Sequence, residues 1–229
     1  MKTMGLIGGM SWESTVSYYQ IVNQVIKKEL GGLHSAKLLL YSVDFQEIAD
    51  FQEKGEWEKS GDLLAKAALK LENAGADFIV ICTNTMHKVA PEIVARINIP
   101  LIHIAEATAE TLIETGIHKV ALLGTKYTMK EDFYKNKIED AGIKVLIPEE
   151  EDINIVNTTI YEELCLGIIS EKSKREFLRI IAKLKEDGAQ GVILGCTEIG
   201  LLIKAEDTDL PVFDTTYIHA LKAALYSIQ

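Results

Sequence analysis

Cysteine is scarce in this sequence, positive charge is in the minority, and long hydrophobic runs are missing. The 229 residues include three cysteines, an odd number that argues against a disulfide framework and for free thiols in a reducing compartment. No stretch approaches the ~18 uninterrupted apolar residues that a membrane span needs. The opening run Met4–Ile7 stops at Gly8 and Gly9, too short for the apolar region of a signal peptide, so a cytoplasmic protein is expected. Lys plus Arg number 24 against 34 Asp plus Glu, a formal charge of −10, and no Lys/Arg run exceeds two. That field repels nucleic acid and anionic membranes, and neither is expected as a partner. The histidines His34, His87, His103, His118 and His219 fall in no metal-ligand spacing, so no metal is expected. Gly5-Leu6-Ile7-Gly8-Gly9-Met10 lacks the G-x-G-x-x-G fingerprint, and no P-loop occurs.

What is present is ordinary for a globular protein: 48% hydrophobic and 25% charged residues, enough to bury a sizeable core without staples. Short apolar runs at Met4–Ile7, Lys37–Tyr41, Phe78–Ile81, Leu101–Ile104, Val120–Leu123, Val145–Ile147, Val192–Leu194 and Val212–Phe213 read as buried parallel strands. Between them, segments such as Gly61–Ala74 and Ser173–Asp187 carry apolar residues at three-to-four spacing and read as helices. The alternation predicts an α/β fold with parallel sheets.

The pattern also repeats. Met4-Gly5-Leu6-Ile7-Gly8 returns as Val120-Ala121-Leu122-Leu123-Gly124, displaced by 116 residues; Cys82-Thr83 returns as Cys196-Thr197, displaced by 114; Ile99-Pro100-Leu101 returns as Leu210-Pro211-Val212, displaced by 111. Any two βαβ units share some likeness, but three matches in one order and near one offset point to duplication. Two pseudo-symmetric Rossmann-like α/β/α lobes are therefore expected. The N-terminal lobe covers 1–98, completed by about 211–229, and the C-terminal lobe covers 99–210. Ligands bind at the carboxyl ends of such strands, which puts the expected active site in a cleft between the lobes.

Cys82 and Cys196 occupy equivalent strand ends. A single buried cysteine is usually a small core hydrophobe; a matched pair suggests chemistry. Two opposed thiols suit inversion of a stereocentre, one thiolate removing the Cα proton while the other thiol returns one. Charge then builds on the substrate carboxylate, so hydrogen-bond donors are needed. Thr83, Asn84, Thr85 and Thr197, with backbone amides at helix starts, could supply them. Gly8-Gly9-Met10-Ser11 reads as a small-acid cradle or a structural turn, with Ser11 a reasonable N-cap for a helix starting near Trp12. Thr125, in the counterpart loop, is either a ligand contact or a cap. His87 is expected on a helix surface and Cys165 inside a helix, buried.

Gly8-Gly9-Met10-Ser11, Cys82-Thr83-Asn84-Thr85 and Gly195-Cys196-Thr197-Glu198 together resemble the aspartate/glutamate/hydantoin racemase superfamily, in particular its aspartate racemase branch and broad-specificity amino-acid racemases. The resemblance implies two catalytic cysteines, no pyridoxal phosphate or other cofactor, a small-molecule amino-acid substrate and a homodimer. It makes Cys82 and Cys196 the proton donor/acceptors, Cys82 serving the D- and Cys196 the L-enantiomer. Met10, Ser11, Thr83, Asn84, Thr85, Thr125, Thr197 and Glu198 become substrate contacts. Aspartate-selective members hold the side-chain carboxylate with an Arg and a Lys; Glu47 and Cys165 take those two places here. That departure favours neutral side chains, with Gln52 and Cys165 lining the pocket. The rival readings are aspartate/glutamate-specific racemisation, hydantoin racemisation or maleate-type isomerisation on the same scaffold, and a non-catalytic amino-acid-binding module.

Overall fold

The computed structural model describes residues 1–229. In chain order its elements are β1 (Met4–Gly8), α1 (Trp12–Leu30), β2 (Leu38–Ser42), α2 (Phe45–Glu53), α3 (Trp57–Asn73), β3 (Phe78–Ile81), α4 (Ala90–Val94), β4 (Leu101–Ile102), α5 (Ile104–Glu114), β5 (Lys119–Gly124), α6 (Lys126–Lys130), α7 (Asp132–Glu139), β6 (Lys144–Leu146), α8 (Glu150–Glu162), α9 (Glu171–Glu186), β7 (Val192–Gly195), α10 (Ile199–Leu202), β8 (Val212–Asp214) and α11 (Thr215–Ile228). All eight expected strands form. They make two four-stranded sheets, ordered β2-β1-β3-β4 and β6-β5-β7-β8, with every pairing parallel.

One compact unit holds Met1–His103 and His219–Gln229, the other Ile104–Ile218. This departs from the boundary read from the sequence, which gave 211–229 wholly to the first lobe. Val212–Asp214 pair with Val192–Leu194, so these residues are part of the second sheet and only the chain from His219 onward returns to the first unit.

In the first unit β1 is buried at all five positions, because it is flanked by β2 and β3 and covered on both faces. Alternation divides the side chains. Met4, Leu6, Phe78, Val80 and Cys82 face Tyr18, Val22, Val25 and Ile26 of α1 with Ala220, Ala223 and Ala224 of α11. Ile7, Ile79 and Ile81 face Leu64, Ala65, Ala68 and Leu71 of α3. Cys82 thus continues the period-two face of Phe78 and Val80 one step beyond the strand.

The second unit packs one continuous core. Val120–Leu123 of β5 and Val192–Leu194 of β7 meet Ile153, Val156 and Ile160 of α8 and Phe177, Ile180, Ile181 and Leu184 of α9. The α9 residues recur at three and four positions, the stripe a helix must bury against a sheet. On α5, Thr108 Oγ1 accepts from the Tyr134 hydroxyl of α7 at 3.4 Å.

Candidate active site

In the first unit the chain leaves β1 through Gly8 and Gly9. Gly9 adopts φ +90°, and a Cβ there would run into the Val43 carbonyl, so only glycine fits. Its N–H donates to Thr15 Oγ1 at 2.8 Å. Ser11 caps α1, its hydroxyl accepting from the Ser14 N–H at 3.3 Å. The Ser14 hydroxyl in turn reaches the Ser11 carbonyl at 3.0 Å and the Cys82 carbonyl at 3.2 Å, joining the glycine loop to the cysteine segment. Ser14 and Thr15 had no motif to announce them; their hydroxyls matter only because α1 turns them back onto the loop. Met10 packs in the core beside Ile7, Ile48 and Met86.

Cys82 is fully buried. Its N–H donates to the Ile7 carbonyl and the Thr83 N–H to the Ile81 carbonyl, both at 2.9 Å. No non-glycine residue has positive φ, so Cys82 is the centre of an inverse γ-turn. A 3-10 turn, Thr85–Val89, follows instead of an α-helix. The expected helix-start amides are therefore not formed here: the Thr83 N–H is spent on the turn. Burial pushes the Cys82 thiol far up, so it rests protonated. Thr83, Asn84 and Thr85 are buried beside it in sequence, and Gln52, 5% exposed, donates to Met86 Sδ at 3.0 Å. Glu47 is exposed on α2, where it borders a groove of about 570 Å³ with Tyr41, Phe51 and Lys70. His87 is not on a surface: it is buried at 1% exposure and bonds Thr83, because the 3-10 turn aims it inward where a continuous helix was expected.

In the second unit Gly124 and Gly195 are register partners. A Cβ on Gly124 would lie 2.8 Å from the Gly195 carbonyl oxygen, and one on Gly195 would lie 2.9 Å from the Leu123 carbonyl oxygen, which explains glycine at both strand ends. Thr125 caps α6 by accepting from the Thr128 N–H at 3.3 Å, the cap reading left open by the sequence. Cys196 Sγ donates to Glu198 Oε2 at 3.0 Å, and Thr197 Oγ1 donates to the same oxygen at 2.6 Å. Glu198 is 3% exposed, a buried carboxylate holding two donors. Burial first, then the Glu198 charge and Cys165, push the Cys196 thiol well up. Cys165 sits in a 3-10 turn, Leu164–Leu166, after α8; it is half-buried and packs on the core that contains Cys196. Tyr161 was not anticipated. Burial, with Cys196, Tyr127, Cys165 and Glu198 around it, holds its phenol protonated.

Within each unit most of the expected residues follow a central strand directly: Met10 and Ser11 after β1, Cys82, Thr83, Asn84 and Thr85 after β3, Thr125 after β5, and Cys196, Thr197 and Glu198 after β7. Gln52 comes from α2 and bonds Met86, and Cys165 comes from the turn after α8 and acts on Cys196. No helix is long and apolar enough to cross a membrane.

The family model for Asp/Glu/Hydantoin racemase matches residues 7–223. The broad specificity amino-acid racemase RacX of Bacillus subtilis is 24% identical over 220 residues, covering 93% of this chain and 92% of the relative. A Yersinia pestis protein whose structure was solved as a candidate Asp/Glu racemase is 56% identical, with TM-score 0.93 and full coverage of both chains. An aspartate racemase homologue from Pyrococcus horikoshii OT3 is 37% identical, with TM-score 0.86 and again full coverage. The chain belongs to the Asp/Glu/Hydantoin racemase family and is, as a racemase, an isomerase.

Proposed function

We propose that this chain is a cofactor-independent amino-acid racemase in which Cys82 and Cys196 exchange protons with the substrate Cα from opposite faces. One observation carries the reading. The two sheets have the same strand order, and a cysteine directly follows the third strand of each, Cys82 after β3 and Cys196 after β7.

The chemistry needs one thiol ionised as base and the other protonated as acid. Burial raises both thiols, which suits the waiting acid. On the Cys196 side the Glu198 carboxylate, 3.0 Å from Sγ, is placed to accept the thiol proton when Cys196 acts as base. As the Cα–H bond breaks, its electron pair spreads onto the substrate carboxylate. The Thr83, Thr85 and Thr125 hydroxyls, the Asn84 amide and the Met10–Ser11 backbone are the donors proposed to stabilise that charge, while Thr197, whose hydroxyl donates to Glu198, would touch the substrate without donating to it. The second thiol then delivers its proton to the other face, and the roles swap in the reverse direction.

Broad specificity is the favoured form. Neither Glu47 nor Cys165 can clamp an acidic side chain, and buried Gln52 is a neutral contact. The B. subtilis relative carries a broad-specificity name. Aspartate selectivity is the second reading, favoured by likeness to the P. horikoshii aspartate racemase homologue. A homodimer belongs to the proposal. Trp12, Val16 and Tyr19 of α1, one exposed apolar stripe, form a face a second copy would cover, and sedimentation would show the dimer.

The test is incubation of purified protein in D₂O with a panel of L- and D-amino acids, following Cα deuteration and enantiomer ratio. Exchange with inversion is expected, strongest for neutral residues, and unchanged by EDTA or added pyridoxal phosphate. Cys82→Ser and Cys196→Ser should each abolish inversion; full activity in either overturns the two-thiol reading. Exchange with no amino acid would point to hydantoins, maleate or simple binding.

A further inference from the structure

His87 lies five residues beyond Cys82, and the racemase reading makes no use of it. Its Nδ1 is 2.8 Å from the Thr83 carbonyl oxygen. An oxygen there can only accept, so Nδ1 carries the hydrogen and Nε2 the lone pair of the neutral ring. The backbone N–H of the same residue donates to the Asn84 carbonyl at 3.0 Å. One residue therefore holds two successive carbonyls of the segment that leaves the thiol. Among the other ties on this segment are the Cys82 N–H to Ile7, the Thr83 N–H to Ile81 and the Ser14 hydroxyl to the Cys82 carbonyl. They fix the turn from its strand side, and His87 fixes it from the far side.

The imidazole is itself held. The His103 ring lies 4.6 Å from it and the His219 ring 5.6 Å, centroid to centroid. His219 Nε2 donates to the Ile102 carbonyl at 2.8 Å, which leaves its Nδ1 to accept from the Tyr18 hydroxyl at 2.7 Å. Burial first, then the two neighbouring imidazoles, keep His87 neutral well below the usual histidine range, so its tautomer is set by the Thr83 carbonyl. These rings do not form a metal-ligand set.

We propose that His87 is a positioning residue for Cys82: its Nδ1–H fixes the Thr83 carbonyl and, through it, the γ-turn that aims the thiol. The proposal rests on Cys82 being a proton-transfer group. Proton transfer is steep in distance, and a displacement of about 1 Å can cost about a hundredfold in rate.

The test compares His87→Leu, which removes the donor at similar bulk, with His87→Asn, whose side-chain amide nitrogen falls at the Nδ1 place. Two readouts are taken: kcat and KM for racemisation, and iodoacetamide alkylation rates of Cys82, Cys165 and Cys196 resolved by peptide mass spectrometry. In His87→Leu, kcat should fall about 10- to 100-fold with KM nearly unchanged, and only the Cys82 alkylation rate should change, by about threefold or more. His87→Asn should restore most of both losses. If His87→Leu does not fold, His87→Gln replaces it, since its nitrogen falls at the Nε2 place and should not rescue. An unchanged Cys82 rate with unchanged kcat overturns the proposal. So does an Asn variant as impaired as the Leu variant, or an equal change at all three cysteines. If the wild type racemises nothing, the racemase reading fails, and the alkylation arm alone decides whether His87 positions Cys82.

Discussion

Acid should destabilise this protein partly through one ring, His219. It is fully buried, with Nε2 committed as donor to Ile102 and Nδ1 as acceptor from Tyr18. A second proton would have to sit on Nδ1, where it meets the Tyr18 hydroxyl hydrogen, in a site without water's polarity. Burial and, less strongly, His103 lower the pKa from 6.5 to about 4. Between those two values the unfolded chain binds a proton that the folded chain refuses, so stability falls as pH drops through that window. The gap of about 2.5 pH units, at about 1.4 kcal/mol per unit, amounts to about 3 kcal/mol, of which about 2.5 is lost between pH 7 and pH 4.5. His219→Gln keeps a donor at the Nε2 place and removes the titration. Urea unfolding of both proteins, followed by circular dichroism at the two pH values, measures the difference; carboxylates common to both chains cancel. The wild type should lose about 2.5 kcal/mol more than the variant. Equal losses would refute the argument that this ring is excluded from protonation in the folded state.

Glu198→Gln should speed iodoacetamide alkylation of Cys196 and leave Cys82 unaffected. The carboxylate raises the Cys196 thiol through charge and by accepting its hydrogen, so its removal frees thiolate; mapped alkylation rates check this. Gly195→Ala puts a Cβ 2.8 Å from Leu122 Cδ1 and 2.9 Å from the Leu123 carbonyl oxygen. Since backbone cannot yield cheaply, a cost of about 1–3 kcal/mol is expected in thermal unfolding, together with loss of racemisation because Cys196 is displaced. Phe177→Ala, at a fully buried position in the second core, should cost about 3–5 kcal/mol by urea unfolding.

Much of the fold was legible because its signals are local. Apolar runs such as Val192–Leu194 and the three-to-four spacing of Phe177, Ile180, Ile181 and Leu184 are set by strand and helix geometry alone. All eight expected strands therefore form, and the repeat of strand ends led to Cys82 and Cys196. The lobe boundary was less legible. Which sheet receives Val212–Asp214 is a matter of pairing with β7, and no periodicity encodes a partner.

The site divides in the same way. Apolar spacing determined the class of fold, and the duplicated Cys-Thr step and the paired glycines put Cys82, Cys196 and the glycine loop directly after strands, since those positions follow from local pattern alone. Tertiary structure decided the rest. The 3-10 turn after Cys82, in place of a helix, buries His87 against His103 and His219. The fold of α1 brings Ser14 to the Cys82 carbonyl from 68 residues away. Tyr161 acquires its place beside Cys196, Cys165 and Glu198 only when α8 packs on the second core. Those assignments come from contacts between distant segments, whose energies depend on burial and hydrogen-bond geometry that no local pattern of residues carries.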